Sequence, residues 1–158
     1  MSRRGFLTLG VRLWGAAIAL IFAVPVVGYV VSPLLRGSPR VWRRAGFVGD
    51  LAYLEPRKFT VLFPPENSWA AQEVPFAVYA VRLPGGRVKA LANICTHMQC
   101  PVRWDPPRGA FLCPCHGGLY TADGTNIGGP PPKPLSQWVH RIDADGVLYV
   151  QNRLTEAI

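Results

Sequence analysis

The chain has 158 residues, 17 Lys and Arg against 9 Asp and Glu, and a formal net charge of +8. That charge is one-sided: 7 arginines and no acid stand in residues 1–45, whereas residues 46–158 carry 10 basic and 9 acidic side chains, a net of +1. A near-neutral body behind a basic leader is not the footprint of a nucleic-acid surface, and no nucleic-acid partner is expected.

In chain order, the first predicted element is a membrane helix over residues 13–31. Between Arg12 and Arg36 lie 23 uncharged residues, LWGAAIALIFAVPVVGYVVSPLL, and a bilayer core needs about 20 apolar ones. A cleaved leader has a shorter apolar core and a small-residue cleavage site, and no good A-x-A site follows Val31. The segment therefore reads as a retained span, with Pro25 expected to kink it. Ahead of it, residues 1–12 contain S-R-R-G-F-L, Ser2 to Leu7. This resembles a twin-arginine export signal, a route that carries folded proteins; the plainer reading makes Arg3 and Arg4 flanking charges of an anchor. The basic count near the span, three before and four after, does not favour an inside N-terminus.

Residues 32–46 read as a linker or hinge, broken by Pro33, Gly37, Ser38, Pro39 and Gly46. From Phe47 onward short apolar runs alternate with turn signals. Gly85-Gly86 sits between VPFAVYAVRLP and RVKALANI, Asp145-Gly146 between Trp138–Ile142 and Val147–Gln151, and Asp123-Gly124 marks another turn. No long helical period appears. Residues 47–158 are predicted to form a small, all-β, antiparallel head with a modest core that a cross-link or metal would help.

All four cysteines and two of the three histidines fall between Ile94 and Tyr120, as Cys95-x-His97-x2-Cys100 and Cys113-x-Cys115-His116. Three chemistries fit this composition. Two structural disulfides would leave the adjacent histidines without a role. A zinc site would use Cys95, His97, Cys113 and His116, although each half then mixes one Cys with one His. A [2Fe–2S] cluster would use the same four, two thiolates on one iron and two imidazoles on the other.

C-T-H-x2-C and C-P-C-H-G resemble the two boxes of a Rieske iron–sulfur protein, and C-x-H-x15-C-x2-H over Cys95 to His116 is a specific pattern. The resemblance covers residues 47–158 as a fold, with a cluster-binding subdomain, and its anchor-plus-linker layout extends to the whole chain. It implies one [2Fe–2S] cluster, with Cys95 and Cys113 on the inner iron and His97 and His116 on the outer one. By resemblance to the Rieske proteins of cytochrome bc complexes, Cys100 and Cys115 form a disulfide joining the two loops. A disulfide needs an oxidising compartment. The head is therefore expected outside a bacterial cytoplasmic membrane, against the arginine count and with the export signal.

The resemblance also gives roles to further residues. Gly129 to Leu135, G-P-P-P-K-P-L, is similar to a proline-rich loop covering the cluster, which brings in Gly129 and Pro130. Tyr120 matches a tyrosine whose hydroxyl bonds a ligand sulfur, here that of Cys95. Gly118 departs from the family: many members carry a serine there, whose hydroxyl donates to a bridging sulfide. Without it a lower potential is expected, and hence menaquinol rather than ubiquinol. His140 lies outside both boxes and reads as a surface or core histidine.

The implied function is that of the electron-transfer subunit of a bc-type quinol–cytochrome c oxidoreductase, taking one electron and a proton from quinol and passing the electron to a c-type cytochrome. His116 is the first candidate to face quinol and His97 the second. The expected partners are a cytochrome b subunit, the cytochrome acceptor, quinol and the lipid membrane, with no turnover by the chain alone. The alternatives are the Rieske subunit of an exported molybdenum oxidase such as an arsenite oxidase, and a structural zinc protein. The first box, C-T-H-M-Q-C, looks closer to the quinol-oxidising group.

Overall fold

The computed structural model describes residues 2–35, 40–65 and 72–155, in two compact units, Met1–Pro39 and Arg40–Ile158. The first unit is one helix, α1, Arg3–Leu35. Ser2 caps it: its hydroxyl oxygen accepts the Gly5 N–H at 3.2 Å, and its carbonyl accepts the Phe6 N–H at 3.1 Å. The helix outruns the predicted 13–31 at both ends. At the start the cap at Ser2 allows it. At the end it passes Pro33, which has no N–H to give the Tyr29 carbonyl; the Ser32 hydroxyl donates to that carbonyl instead, at 3.1 Å. Among the described residues α1 is the single helix long and apolar enough to cross a membrane, with mean hydropathy 2.2 in its most apolar window and none of that window buried.

The second unit is almost entirely β. Its strands in chain order are β1 (Trp42–Phe47), β2 (Arg57–Phe63), β3 (Val74–Arg82), β4 (Val88–Ala92), β5 (Arg103–Asp105), β6 (Ala110–Cys113), β7 (Gly118–Thr121), β8 (Asn126–Gly128), β9 (Gln137–Ile142) and β10 (Val147–Thr155). A short 3₁₀ turn, Pro106–Arg108, separates β5 from β6. Of residues 32–46, expected as linker, 32–35 continue α1 and 42–46 lie in β1. β1 forms because Trp42 to Phe47 pair with Gln151 to Val147 of β10. Gly46 lies at a register shift in that pairing, and the Phe59 ring fills the space where its Cβ would stand. The hinge role expected of the linker falls partly on residues 36–39, outside the described residues.

Six strands form one antiparallel sheet in the order β1-β10-β9-β4-β3-β2, and β5-β6-β7-β8 form a second. The three predicted turns are in place. Gly85, Gly124 and Gly146 adopt φ of +88°, +88° and +76° between β3 and β4, β7 and β8, and β9 and β10, where a Cβ would be strained.

Side chains alternate across β3 and β4. Val78, Ala80, Ala90 and Ala92 face a core with Val48, Val61, Phe63, Trp138, Leu148 and Val150. Tyr79, Val81 and Leu91 face the other way, into a core with Cys95, Val102, Phe111, Cys113, Tyr120, Ala122 and Leu135. The small sheet and its loops are therefore welded to the large sheet through a second core, with Tyr79 edge-on to Phe111 at 4.9 Å and Trp104 at 5.0 Å from the same ring. Burial on both faces explains why VPFAVYAVRL reads as nearly continuous apolar sequence.

Candidate functional site

The two boxes become two loops at one end of the small sheet. Loop 1 joins β4 to β5. It is pinched shut by the Ile94–Pro101 bridge and by Cys95 and Cys100: the Cys95 N–H donates to the Cys100 carbonyl at 2.9 Å, and the Gln99 N–H to the Cys95 carbonyl at 3.0 Å. Turning that tightly puts Gln99 in the left-handed region, at φ +58°. Loop 2 joins β6 to β7. Cys113 pairs with Gly118, and the Gly117 N–H donates to the Cys113 carbonyl at 3.1 Å with Gly117 at φ +72°.

These turns bring the predicted ligand residues together in pairs, Cys95 with Cys113 and His97 with His116. Cys95 and Cys113 are free thiols, 2% and 1% exposed. His97 and His116 are exposed, with ring centroids 5.0 Å apart. Cys100 and Cys115 form the disulfide that the resemblance implied, linking the loops across 15 positions. The sulfurs of Cys100, Cys113 and Cys115 lie within 4.8 Å of one another, but a disulfide has no thiolate to give, so of these only Cys113 can ligate.

Tyr120, 0% exposed, organises loop 1 from below. Its hydroxyl lies 3.3 Å from Cys95 Sγ, accepts the Thr96 N–H at 3.1 Å and is 3.2 Å from Thr96 Oγ1. Burial pushes the Cys95 thiol up. Hydrogen bonding by Tyr120, the His97 N–H and Cys113 outweighs that, and the thiol sits below its ordinary value, which favours the thiolate a metal needs. The Tyr120 hydroxyl is pushed up by burial and by Cys95, so it stays protonated and able to donate.

The proline-rich segment closes the third side. The Thr96 hydroxyl donates to the Lys133 carbonyl at 2.6 Å, and the Leu135 N–H to the Gly124 carbonyl at 2.8 Å. Gly129, at φ +80°, rests on the backbone of Gly117 and Gly118. Pro130 is exposed and Pro131 is buried. Pro131 was not singled out in the sequence, and nothing in a run of three prolines marks which one packs. His140 is away from this site: its Nδ1 and Nε2 face the Trp138 and Val88 carbonyls at 3.0 and 2.9 Å, a structural histidine. Met98 is 65% exposed beside His97.

Two buried thiols and two solvent-facing imidazoles, in loops tied by a disulfide, form a donor set split by chemistry and by burial. This suits a [2Fe–2S] cluster with unlike irons better than a single zinc, whose four ligands surround one ion. The family model and the sequence relatives agree. The family model "Rieske [2Fe-2S] domain" matches residues 59–139. The menaquinol:cytochrome c reductase iron-sulfur subunit of Geobacillus thermodenitrificans is 31% identical over 95% of this chain and 90% of that protein. The cytochrome b6-f complex iron-sulfur subunit of Chlorobaculum tepidum is 35% identical over 94% of this chain and 75% of its own length. A solved structure described as a hyperthermophilic respiratory Complex III is 28% identical, with a TM-score of 0.44, over 89% of this chain and 98% of that one. With its donor set and its sequence in accord, the chain belongs to the Rieske [2Fe–2S] family, and its cofactor is a [2Fe–2S] cluster.

Proposed function

We propose that this chain is the electron-transfer subunit of a bc-type quinol–cytochrome c oxidoreductase, held by α1 in a bacterial cytoplasmic membrane with its head on the outer side. In this reading Cys95 and Cys113 hold one iron and His97 and His116 the other. Bound there, the cluster supplies a one-electron couple, at a potential raised by two neutral imidazoles in place of thiolates. The observation that carries the reading is the exposed imidazole pair and the buried thiol pair: the redox end is open to partners while the sulfur end is kept from water.

His116, with His97 second, would hold a quinol hydroxyl at the ring nitrogen that is not on the iron; where that nitrogen has given up its own proton in the oxidised protein, it would take the quinol proton as the centre takes the electron. The quinol pocket itself belongs mainly to a cytochrome b partner, so the chain alone does not turn over. A c-type cytochrome takes the electron. Two relatives named for menaquinol, in Geobacillus thermodenitrificans and in Bacillus subtilis (32% identical over 95% of this chain), favour menaquinol as donor. The disulfide supports an oxidising location. S-R-R-G-F-L then serves as the export signal for a head folded around its cluster, with Ser2 also capping α1.

The test is reduction of the protein in its own membranes by a menaquinol analogue and by a ubiquinol analogue, followed by the bleaching of the oxidised cluster's visible bands. Reduction by the menaquinol analogue, with a midpoint potential near that of the menaquinone couple, is expected. A cluster-bearing protein that neither quinol reduces would overturn the reading.

A further inference from the structure

Gly118 opens β7 between loop 2 and Tyr120, and it is buried. A Cβ placed on it would stand 2.6 Å from Cγ and 3.1 Å from Cδ of Pro131, and 3.3 Å from Cβ of Cys113. A long side chain could swing its far end away, but a proline ring cannot. The ring is also part of a seated segment. Two residues before it, a Cβ on Gly129 would lie 2.7 Å from the Gly117 carbonyl oxygen and 2.8 Å from Gly118 Cα. Two points of the proline-rich segment thus rest on the bare backbone of Gly117 and Gly118, where loop 2 enters β7, and Lys133 ties the same segment to loop 1 through Thr96.

We propose that Gly118 and Pro131 form one device that keeps a side-chain hydrogen-bond donor away from Cys113, with Pro131 as the positioning residue that sets how high the centre's potential can go. The proposal rests on the reading of Cys113 as a cluster ligand. With the two Cβ positions 3.3 Å apart, a hydroxyl at 118 and the sulfur of Cys113 would each lie one bond beyond neighbouring carbons. A donor there would offset the negative charge gained on reduction, and hydrogen bonds to the sulfurs are among the factors that set Fe–S potentials. Pro131 occupies the room such a residue needs. The lowered potential expected from the sequence is therefore a property of the pair. Gly118→Ser alone does not report on the hydroxyl alone, because it also displaces Pro131.

The experiment is a cycle of four full-length proteins: wild type, Gly118→Ser, Pro131→Ala and the double variant. Each is titrated for midpoint potential at fixed pH by its visible spectrum, and heated to follow loss of that spectrum. In the Pro131→Ala background the serine is expected to favour reduction by about tenfold, or ~59 mV for one electron. In the Pro131 background the gain should be smaller and the spectrum lost at lower temperature, a non-additivity expected of touching residues. Loss of the centre in Gly118→Ser with recovery in the double variant also supports the proposal. An equal or larger gain with Pro131 present, no gain in either background, or loss of the centre in both serine variants would overturn it. A wild-type protein without a [2Fe–2S] spectrum would instead remove the functional reading beneath it.

Discussion

The hydroxyl of Tyr120 stands 3.3 Å from the sulfur of Cys95 and also holds the backbone N–H of Thr96 at 3.1 Å. One oxygen therefore serves both the electronics and the shape of loop 1. In Tyr120→Phe the sulfur loses a donor and Thr96 loses its partner. A hydrogen bond to a charged group contributes about 1.5–3 kcal/mol, so the midpoint potential should fall by roughly 60–130 mV for one electron. The unpaired N–H should also lower thermal stability, by about 1–3 kcal/mol. Redox titration and thermal unfolding of the variant check both; an unchanged potential would mean that the tyrosine does not donate to the sulfur.

Cys100–Cys115 closes a loop of 15 positions between the two boxes, and a loop of that size contributes about 3 kcal/mol in the chain-entropy model. Cys100→Ser and Cys115→Ser should each keep Cys95, His97, Cys113 and His116 in the chain but lose the centre's visible spectrum at a lower temperature than wild type. Thermal bleaching measures this. Equal bleaching temperatures would show that loop 1, loop 2 and the proline-rich segment hold one another without the bond.

Asp123 gives the head an acid-sensitive corner. Burial pushes its carboxyl up, but Thr121, the Thr125 N–H, Lys89 and the Thr125 hydroxyl outweigh that, and it sits below the ordinary carboxylate value. Its contribution to stability is complete above the unfolded value of about 3.9 and is lost as pH falls through the lower folded value. Asp123→Asn should therefore be less stable than wild type at neutral pH, and the gap should close below about pH 4. Thermal midpoints against pH for both proteins check it; a gap that stays constant would contradict the sign.

The location of the head has its own test. In intact spheroplasts, added protease should digest residues 47–158 while α1 stays with the membrane. Protection of the head there, with digestion from the cytoplasmic side, would reverse the orientation.

How much of this was legible in the sequence follows from what is local. Gly85-Gly86, Asp123-Gly124 and Asp145-Gly146 announced their turns because a left-handed backbone demands those residues. Cys95, His97, Cys113 and His116 announced themselves because few chemistries need those donors at that spacing. The start of β1 was hidden, because its strand exists by pairing with β10, more than 100 positions away, and the chain nearby is full of Pro, Gly and Arg. The length of α1 was hidden by Pro33, whose missing N–H Ser32 makes good. The contact of Pro131 with Gly118 was hidden for a similar reason: a missing side chain leaves no trace in the sequence of what fills its place.

The measurement that bears most directly on the central claim is pulsed electron paramagnetic resonance of the reduced full-length protein, prepared with and without ¹⁵N-histidine. The account predicts a [2Fe–2S] signal coupled to two histidine nitrogens, both shifted by the label, and the loss of the centre in His97→Ala and in His116→Ala. A colourless zinc protein, a cluster without histidine coupling, or a normal signal in His116→Ala would contradict it.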